Sequence, residues 1–333
     1  MKNKIKSHII GLGYYVPNRR IINNYFLKFM DTSDEWIRNR TGIIERRFVE
    51  DNEGPADIAI PAVQMALDNA NLTTNDIDFI IFSTSTPDYY IPGSGCLIQD
   101  KMNFNTIGAL DIRCQCSGFI YALSIADQYI KAQTYTNILV ITAEVQSTAM
   151  DLSNEGRDTA IIFADGAAAA ILSASNNNRG ILSTHLHTEG EYAKKLWVEA
   201  PSSKVKPRLT PSILKNRKHF LHMDGKEVFK HAVKRFPEVI MEGLKHNNLS
   251  VDDIDLLIPH QANARISQMV QKKLGLSDNK IISNIHKYGN TTSASIPIAL
   301  NEALIDKKLN KGDILVLAAF GSGFSWGSAI LRW

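Results

Sequence analysis

Asn71-Leu-Thr-Thr-Asn-Asp-Ile-Asp-Phe-Ile-Ile-Phe82 is a stretch that this chain uses twice. It closely resembles Asn248-Leu-Ser-Val-Asp-Asp-Ile-Asp-Leu-Leu-Ile-Pro259, which lies 177 positions further along. A second apolar stretch, Asn137 to Ala143, recurs as Asp313 to Ala319 at an offset of 176. Because two separate stretches recur in nearly one register, the sequence predicts two α/β halves of similar topology.

The candidate strands in both halves are almost continuously apolar. Phe79–Phe82 and Ile314–Ala319 show this most clearly, and such strands are typical of sheets that carry helices on both faces. We therefore predict a layered fold in the order helix, sheet, helix, sheet, helix. The predicted divisions are an N-terminal half at residues 1–175, a polar connecting segment at 176–222 and a C-terminal half at 223–333.

Composition excludes several classes of protein. The 333 residues are 44% hydrophobic and 21% charged with a net charge of +3, which indicates an ordinary soluble protein with no strong attraction to nucleic acid. No apolar run approaches the roughly 20 residues of a membrane span. The cysteines are Cys96, Cys114 and Cys116, an odd number that suits neither a disulfide framework nor a four-ligand zinc site. We expect a cytoplasmic protein without a metal, nucleic-acid or membrane partner.

One of these cysteines lies where a strand is predicted to become a helix. In Asp111-Ile-Arg-Cys-Gln-Cys-Ser-Gly-Phe-Ile120, an apolar strand predicted to be buried, Ile107–Ile112, precedes a helical pattern that starts at Phe119. Free N–H groups at a helix start favour negative charge, so a thiolate forms more easily there. Cys116 is therefore a candidate nucleophile. The alternative is a small buried hydrophobe, which describes most free cysteines.

Other polar residues are predicted to meet Cys116. Ile258–Asn263 ends an apolar strand and delivers His260 to its carboxyl edge, where open α/β sheets place their ligands. The loop Tyr288–Ser293 precedes a predicted helix in the second half. When the two halves are aligned at the offset of 176, Thr292 of this loop falls opposite Cys116. We predict that cysteine, histidine and the asparagine of this loop converge with a glycine-containing turn at Phe320–Gly327.

Six motifs spread over the chain match the motifs of one known family. They are Asp31–Ile43, Gln115–Phe119, Gly225–Lys230, Pro259–Arg265, Tyr288–Pro297 and Phe320–Ser328. Together they resemble the β-ketoacyl-acyl-carrier-protein synthase III family of the thiolase-like superfamily, which implies a thiolase-like fold. Thiolases have a second cysteine in the last turn, where this chain has Ser322, and elongating ketosynthases have histidine in place of Asn290.

The resemblance implies a two-step condensation that initiates fatty acid synthesis. Cys116 would accept the acyl group of an acyl-CoA, while the backbone N–H groups of Cys116 and Ser322 stabilise the oxyanion. Malonyl-acyl carrier protein would then lose CO₂, and His260 and Asn290 would stabilise the enolate that forms. The product would be a β-ketoacyl-acyl carrier protein, with acyl-CoA as substrate and no separate cofactor.

The resemblance also implies binding residues and an assembly. Coenzyme A would contact Thr32, Trp36, Arg40, Arg157, Phe229 and Asn263. The acidic carrier protein would contact Lys230, Arg265, Lys272 and Lys273. A homodimer is implied, in which Ile91 of the neighbouring subunit closes the acyl pocket. Because the isoleucine side chain is of modest size, we expect the pocket to take a longer or branched acyl group.

Two other functions stay open at the level of sequence. One is a specialised acyltransferase or ketosynthase of secondary metabolism that uses the same residues. The other is a non-catalytic subunit that binds a carrier protein. Such a subunit would have a replaced cysteine, whereas this chain has Cys116, His260 and Asn290, and this set favours decarboxylative condensation.

Overall fold

The structure is a computed structural model that describes residues 5–175 and 178–333. The strands are β1 (Lys6–Tyr15), β2 (Arg19–Ile22), β3 (Glu45–Phe48), β4 (Phe79–Ser83), β5 (Gly108–Ile112), β6 (Asn137–Glu144), β7 (Gly166–Ser175), β8 (Gly180–Thr188), β9 (Leu196–Val198), β10 (Leu221–Met223), β11 (Leu256–Pro259), β12 (Ile314–Gly321) and β13 (Ser325–Arg332). The helices are α1 (Asp34–Thr41), α2 (Pro55–Ala70), α3 (Ser94–Lys101), α4 (Gly118–Lys131), α5 (Arg157–Ala160), α6 (Pro211–Lys215), α7 (Gly225–His246), α8 (Ala264–Leu274), α9 (Ile285–Tyr288) and α10 (Ser295–Ile305). Within these residues, no helix is both long and apolar enough to cross a membrane.

The first sheet has the strand order β1-β7-β6-β4-β5. β4 runs parallel to β5 and β6, whereas β7 is antiparallel to β1 and β6. β4 is buried along its whole length, but β5 is largely exposed, so the expectation of a buried strand at Ile107–Ile112 was wrong for the single chain. The reason is position, because β5 is the edge strand and has a neighbour on one side only. Asp111 of β5 instead accepts the N–H groups of Ser94 and Gly95 at the start of α3, at 2.6 and 2.9 Å.

The second sheet has the order β11-β12-β13-β8, which corresponds to the order β4-β6-β7-β1 in the first sheet. In both sheets the first pair of strands is parallel and the next two pairs are antiparallel. β8 lies inside the predicted connecting segment 176–222 and forms the edge of the second sheet. The division of the chain at residues 175 and 222 stays a prediction.

Five layers result from the packing of helices on these sheets. α4 and α10 lie between the sheets, and their apolar side chains form one core with both. α2 and α3 cover the outer face of the first sheet. α7 and α8 pack on the outer side of the second sheet, where a third group of buried side chains lies. This is the predicted order of helix, sheet, helix, sheet, helix.

A smaller apolar cluster attaches α1 to the rest of the molecule. It joins the antiparallel pair β2–β3, α1 and α5, and Arg46 is fully buried beside it. Arg46 donates to Asn23 Oδ1 at 2.8 Å and to the Ile161 carbonyl at 2.7 Å, and its guanidinium lies 4.7 Å from the Phe26 ring centroid. Burial lowers the pKa of Arg46 to about 9. These contacts hold α1 against the chain segment that leads to the candidate site.

Candidate active site

Two short 3₁₀ turns at the centre of the molecule are structurally equivalent. Gln115–Ser117 precedes α4, and Thr292–Ala294 precedes α10. The first residue of each turn has a left-handed backbone, with φ of 42° at Gln115 and 50° at Thr292. Cys116 is therefore equivalent to Ser293, and the prediction that set it opposite Thr292 was wrong by one residue. The correct offset is 177, because β12 begins at Ile314 where β6 begins at Asn137.

Cys116 is buried beneath the end of β12. A Cβ atom added at Gly321 would lie only 2.5 Å from Cys116 Cβ and 2.9 Å from its sulfur. Glycine is thus required for the close approach of these two backbones. The backbone N–H groups of Cys116 and Ser322 both lie close enough to the sulfur to lower the pKa of the thiol, so they are candidate donors for a bound carbonyl.

The resting form of Cys116 is the thiol. Burial raises its pKa to about 12, and the charge of Glu144 acts in the same direction, while the two N–H donors oppose the shift. Burial also raises the pKa of Glu144, so desolvation is the dominant influence on both groups. The expectation of a readily formed thiolate at a helix start was therefore wrong for the resting site, because the loss of water outweighs the favourable N–H groups.

His260 follows β11 and is held through its Nδ1 atom. Ser295 Oγ lies 2.6 Å from Nδ1 and accepts the N–H of Gln261 at 3.2 Å. The Ser295 hydroxyl can therefore donate to Nδ1, and in that arrangement the imidazole hydrogen lies on Nε2. Nε2 is buried without a hydrogen-bond partner in the described chain. Burial lowers the pKa of His260 to about 3, so the ring is a neutral donor.

Asn290 is oriented by its neighbours in the loop between α9 and α10. Its Oδ1 accepts the N–H of Thr292 at 2.9 Å. Its backbone N–H donates to the Ile162 carbonyl at 2.9 Å, and its carbonyl accepts from Ala164 at 3.0 Å. Because Oδ1 is occupied, the amide presents its Nδ2 donor to the cavity that Asn290 lines.

A single cavity of about 380 Å³ joins these groups to the surface. Cys116, His260 and Asn290, all buried, line its inner part, and Arg40 and Arg265, both exposed, line its outer part. The structure therefore brings sulfur, imidazole and carboxamide around one space that is accessible from outside. Ser322 contributes through its backbone, since its hydroxyl donates to the Leu196 carbonyl.

The residues predicted to bind coenzyme A lie at the outer end of this cavity. The guanidinium carbons of Arg40 and Arg157 lie 4.8 and 4.7 Å from the Trp36 ring centroid. Arg157 also donates to the Asp31 carbonyl at 2.9 Å, and the neighbouring Thr32 has a buried hydroxyl without a hydrogen-bond partner in the described chain. Arg40 lines the cavity itself.

Two further predicted contacts, Phe229 and Asn263, line the cavity wall. The Asn263 side chain caps the N-terminus of α8, where its Oδ1 accepts the Arg265 N–H at 2.9 Å. Its Nδ2 donates to the Arg40 carbonyl at 2.9 Å. Asn263 thus joins α8 to α1 on the side where a ligand would pass. Its part in binding stays a prediction.

The predicted carrier-protein residues are exposed on α7 and α8. They are Lys230, Arg265, Lys272 and Lys273. The two helices pack together, and Lys273 Nζ donates to the Val233 carbonyl across them at 2.9 Å. Sequence reasoning missed Lys226, which is exposed one turn before Lys230 and lines the cavity mouth.

Comparison with known proteins identifies the family. The family model described as 3-oxoacyl-[acyl-carrier-protein (ACP)] synthase III matches residues 110–190, and the model of its C-terminal part matches residues 244–333. A beta-ketoacyl-[acyl-carrier-protein] synthase III of Clostridioides difficile (strain 630) is 43% identical over 328 residues, which cover 98% of each chain. The chain belongs to the 3-oxoacyl-[acyl-carrier-protein] synthase III family.

Other synthase III proteins agree with this assignment. The protein of that name from Xanthomonas campestris pv. campestris (strain ATCC 33913) is 41% identical, with 100% of both chains covered. The crystal structure of the Aquifex aeolicus VF5 synthase III superposes with a TM-score of 0.90 at 39% identity and covers 98% of this chain and 100% of the other. The predicted family and thiolase-like fold are confirmed.

Sequence reasoning missed two residues of this synthase III site. Ser295 lies inside the motif Tyr288–Pro297, but spacing along a chain does not show which hydroxyl reaches a histidine 35 positions away. Gly321 was considered only as one glycine of the turn Phe320–Gly327, whereas its role is to leave room for the sulfur. Both signals depend on contacts between segments far apart in the chain: His260 with Ser295 within the second half, and Gly321 with Cys116 between the halves.

Proposed function

We propose that this chain condenses the acyl group of an acyl-CoA with malonyl-acyl carrier protein, releasing CO₂ and giving a β-ketoacyl-acyl carrier protein that initiates fatty acid synthesis. One observation carries the proposal: the Cys116 sulfur, His260 Nε2 and the Asn290 amide line a single open cavity. A thiol nucleophile beside two neutral donors suits both halves of the reaction. The thiol also requires a reducing compartment, so we place the protein in the cytoplasm.

Acylation uses the sulfur and the two backbone donors. Cys116 attacks the thioester carbonyl, its proton leaves with the coenzyme A thiol, and the acyl group stays on sulfur. The N–H groups of Cys116 and Ser322 already lie close to the sulfur, so they are the candidate donors to the oxyanion. Removing one such donor typically costs about 3 to 4 kcal/mol in transition-state stabilisation.

Decarboxylation uses His260 and Asn290. When the malonyl group loses CO₂, negative charge develops on the thioester oxygen, and the Nε2–H and Nδ2–H donors stabilise this enolate. The enolate carbon then attacks the acyl group on Cys116, and the sulfur leaves as thiolate and regains a proton. Neither donor has to ionise, which agrees with the low pKa of the buried His260.

The outer part of the cavity fits the two thioester carriers. Trp36 with Arg40 and Arg157 offers a flat ring and two positive charges, which suits an adenine ring and its phosphates. The basic surface of Lys230, Arg265, Lys272 and Lys273, together with Lys226, suits an acidic carrier protein. Both carriers would deliver their thioester through the same opening.

We also propose a homodimer formed through the first sheet. β5 leaves one edge of this sheet unpaired, and an exposed edge strand is a template for pairing with another chain. Close to it, Tyr89, Tyr90 and Ile91 are all exposed, Ile91 by 80%. A second copy would bury this apolar loop.

Intact mass spectrometry tests the acylation step. After incubation with acetyl-CoA, we expect the protein to gain the mass of one acetyl group, and Cys116→Ala to gain none. Adding malonyl-acyl carrier protein should then remove the adduct and release CO₂. His260→Ala should still form the adduct but should lose most of the CO₂ release, because it lacks only an enolate donor.

Two outcomes would contradict the proposal. One is the absence of a Cys116-dependent adduct with any acyl-CoA, which would favour the non-catalytic subunit. The other is an adduct that malonyl-acyl carrier protein never discharges, which would favour an acyltransferase with a different acceptor.

A further inference from the structure

Two buried serines connect the turn that carries Cys116 to the turn that carries Ser322. Ser117 Oγ lies 2.7 Å from Ser325 Oγ, although the two residues are 208 positions apart in the chain. Ser117 is fully buried, and Ser325 is only 7% exposed. This distance is typical of a hydrogen bond between two hydroxyl groups. A hydrogen bond therefore crosses between the two halves of the molecule at the residue next to the candidate nucleophile.

Each hydroxyl also reaches a backbone carbonyl of its own turn. Ser117 Oγ lies 3.1 Å from the Cys114 carbonyl, and Ser325 Oγ lies 2.9 Å from the Ser322 carbonyl. The two serines hold two hydroxyl hydrogens, and a carbonyl can only accept. If each hydrogen went to its own carbonyl, two hydroxyl oxygens 2.7 Å apart would face each other with lone pairs alone. The favoured arrangement therefore has one hydroxyl donating to the other, and the second donating to a carbonyl.

Ser322 lies at one end of this hydrogen-bond chain, and its backbone N–H is one of the two candidate oxyanion donors. Ser322 directly follows β12, and Ser325 begins β13. The Ser322 hydroxyl donates to the Leu196 carbonyl, while the Ser322 carbonyl lies within hydrogen-bond distance of the Ser325 hydroxyl. Two hydroxyl groups thus hold Ser322 in place, and Ser325 connects it to Ser117, the residue after Cys116.

The two candidate donors come from different halves of the chain, so local backbone geometry does not set the distance between them. Cys116 precedes α4, and Ser322 follows β12. Gly321 packs closely against Cys116, but such a contact only prevents the two turns from coming closer. A hydrogen bond between the turns resists their separation. Oxyanion donors act within about 2.7 to 3.1 Å of the charged oxygen, so both limits on the distance matter.

We propose that Ser117 and Ser325 are positioning residues, whose hydroxyl pair fixes the distance between the backbone N–H groups of Cys116 and Ser322. The inference rests on the proposed function, in which these two N–H groups bind the oxyanion during acylation. In the described chain, neither serine lines the main cavity. Both therefore act through the donors and not by touching the substrate.

The test compares two reactions of the Cys116 sulfur in the full chain. Acylation by acetyl-CoA forms an oxyanion, whereas alkylation by iodoacetamide displaces iodide from a saturated carbon and forms none. In Ser117→Ala and in Ser325→Ala we expect the maximal rate of acylation to fall by roughly 10- to 100-fold. The half-saturating concentration of acetyl-CoA and the rate of alkylation at Cys116 should change by less than about threefold, since binding and sulfur reactivity are largely retained. Mass spectrometry measures both products.

A double variant and a conservative variant sharpen the test. Each alanine substitution already removes the hydrogen bond between the turns, so Ser117→Ala/Ser325→Ala should acylate within about threefold of the slower single variant. Ser325→Thr retains the hydroxyl at a strand position, where β-branched side chains are favoured. We expect it to restore acylation to within about threefold of wild type.

Ser124→Ala is the matched control. Ser124 Oγ on α4 lies 2.8 Å from Thr184 Oγ1 on β8, so the substitution removes a hydroxyl pair of similar length from the helix that follows the Cys116 turn. In the described chain, Ser124 does not line the main cavity. The control should leave the rate of acylation unchanged, and thermal unfolding of all variants shows whether the fold is retained.

The outcomes separate this inference from the proposed function. A wild-type adduct at Cys116 that forms equally fast in both alanine variants would overturn the inference and leave the proposed function standing. Equal losses of acylation and alkylation would also overturn it, because the serines would then support the fold and not the donors. So would losses that multiply in the double variant, or a Ser325→Thr rate as low as that of Ser325→Ala. Absence of any adduct in the wild type would overturn both.

Discussion

The turn that carries Cys116 and the turn that carries Ser293 have the same backbone and different surroundings. Each is a 3₁₀ turn with a left-handed first residue, and each leads into a central helix. The ends of two equivalent strands face them: Gly321 of β12 lies against Cys116, and Glu144 of β6 accepts the Ser293 hydroxyl at 2.6 Å. A glycine in one half therefore corresponds to a buried carboxyl group in the other.

This difference makes the Cys116 turn the candidate reaction site. Beside Cys116 the glycine leaves space, and two backbone donors lie close to the sulfur. Beside Ser293 the space is filled by Glu144, which also accepts the Ser85 N–H and hydroxyl at 3.0 and 2.6 Å. The duplicated fold thus offers two positions at helix starts, and the side chain at the strand end determines which of them is open to a substrate.

The largest expected effect concerns the thiol, the group that the second turn lacks. In a Cys96→Ser/Cys114→Ser background, alkylation of Cys116 by iodoacetamide should accelerate about tenfold per pH unit from about pH 6 to pH 9. A thiol whose pKa is raised to about 12 is mostly protonated below that pH, so the reactive thiolate fraction grows throughout this range. Adding Cys116→Ala to the same background should abolish labelling. A rate that levels off below about pH 8 would contradict a raised pKa.

The second prediction concerns a variant in which the space beside Cys116 is partly filled, as the space beside Ser293 is. Gly321→Ala places a methyl group against the Cys116 side chain, and we expect the rate of Cys116 acylation to fall by roughly 100-fold, as for other displacements of about 1 Å. The measurement is adduct formation by mass spectrometry, with thermal unfolding measured alongside. Gly190→Ala is the matched control, because a Cβ atom there has no neighbour within 4 Å. An unchanged acylation rate in Gly321→Ala would show that the close approach is not needed.

The third and smallest effect distinguishes the role of Ser295 from that of Ser293. In Ser295→Ala the His260 ring loses the partner of Nδ1, so we expect condensation to fall about tenfold more than acylation as the Nε2 donor loses its fixed direction. In Ser293→Ala the lost hydrogen bond to Glu144 should lower the free energy of unfolding by about 1 to 3 kcal/mol, with the ratio of the two rates unchanged. Half-reaction rates and urea unfolding measure these effects. Equal losses of both rates in Ser295→Ala would argue against a positioning role for the serine.

Much of the architecture could be predicted because it depends on local patterns. The apolar strands β4 and β12 were identified from continuous hydrophobic runs, and both are buried as expected. The equivalence of the two turns was wrong by one residue, since a short shift within a repeat is invisible until the backbone angles are known. β5 was assigned as buried because its composition is apolar, but a strand's place at the edge of a sheet is not encoded in its own residues.

The sequence by itself determined the repeat, the family and the identities of the candidate reactive groups, because these depend on residue types in a fixed order. Tertiary structure alone decided their chemical states: the thiol form of Cys116, the neutral ring of His260, and the direction of the Asn290 amide. These states arise from burial and from hydrogen bonds with partners such as Ser295 and Ser322, which lie in other elements of the fold. Desolvation and distant hydrogen bonds exist only once the chain has folded, so no local pattern records them.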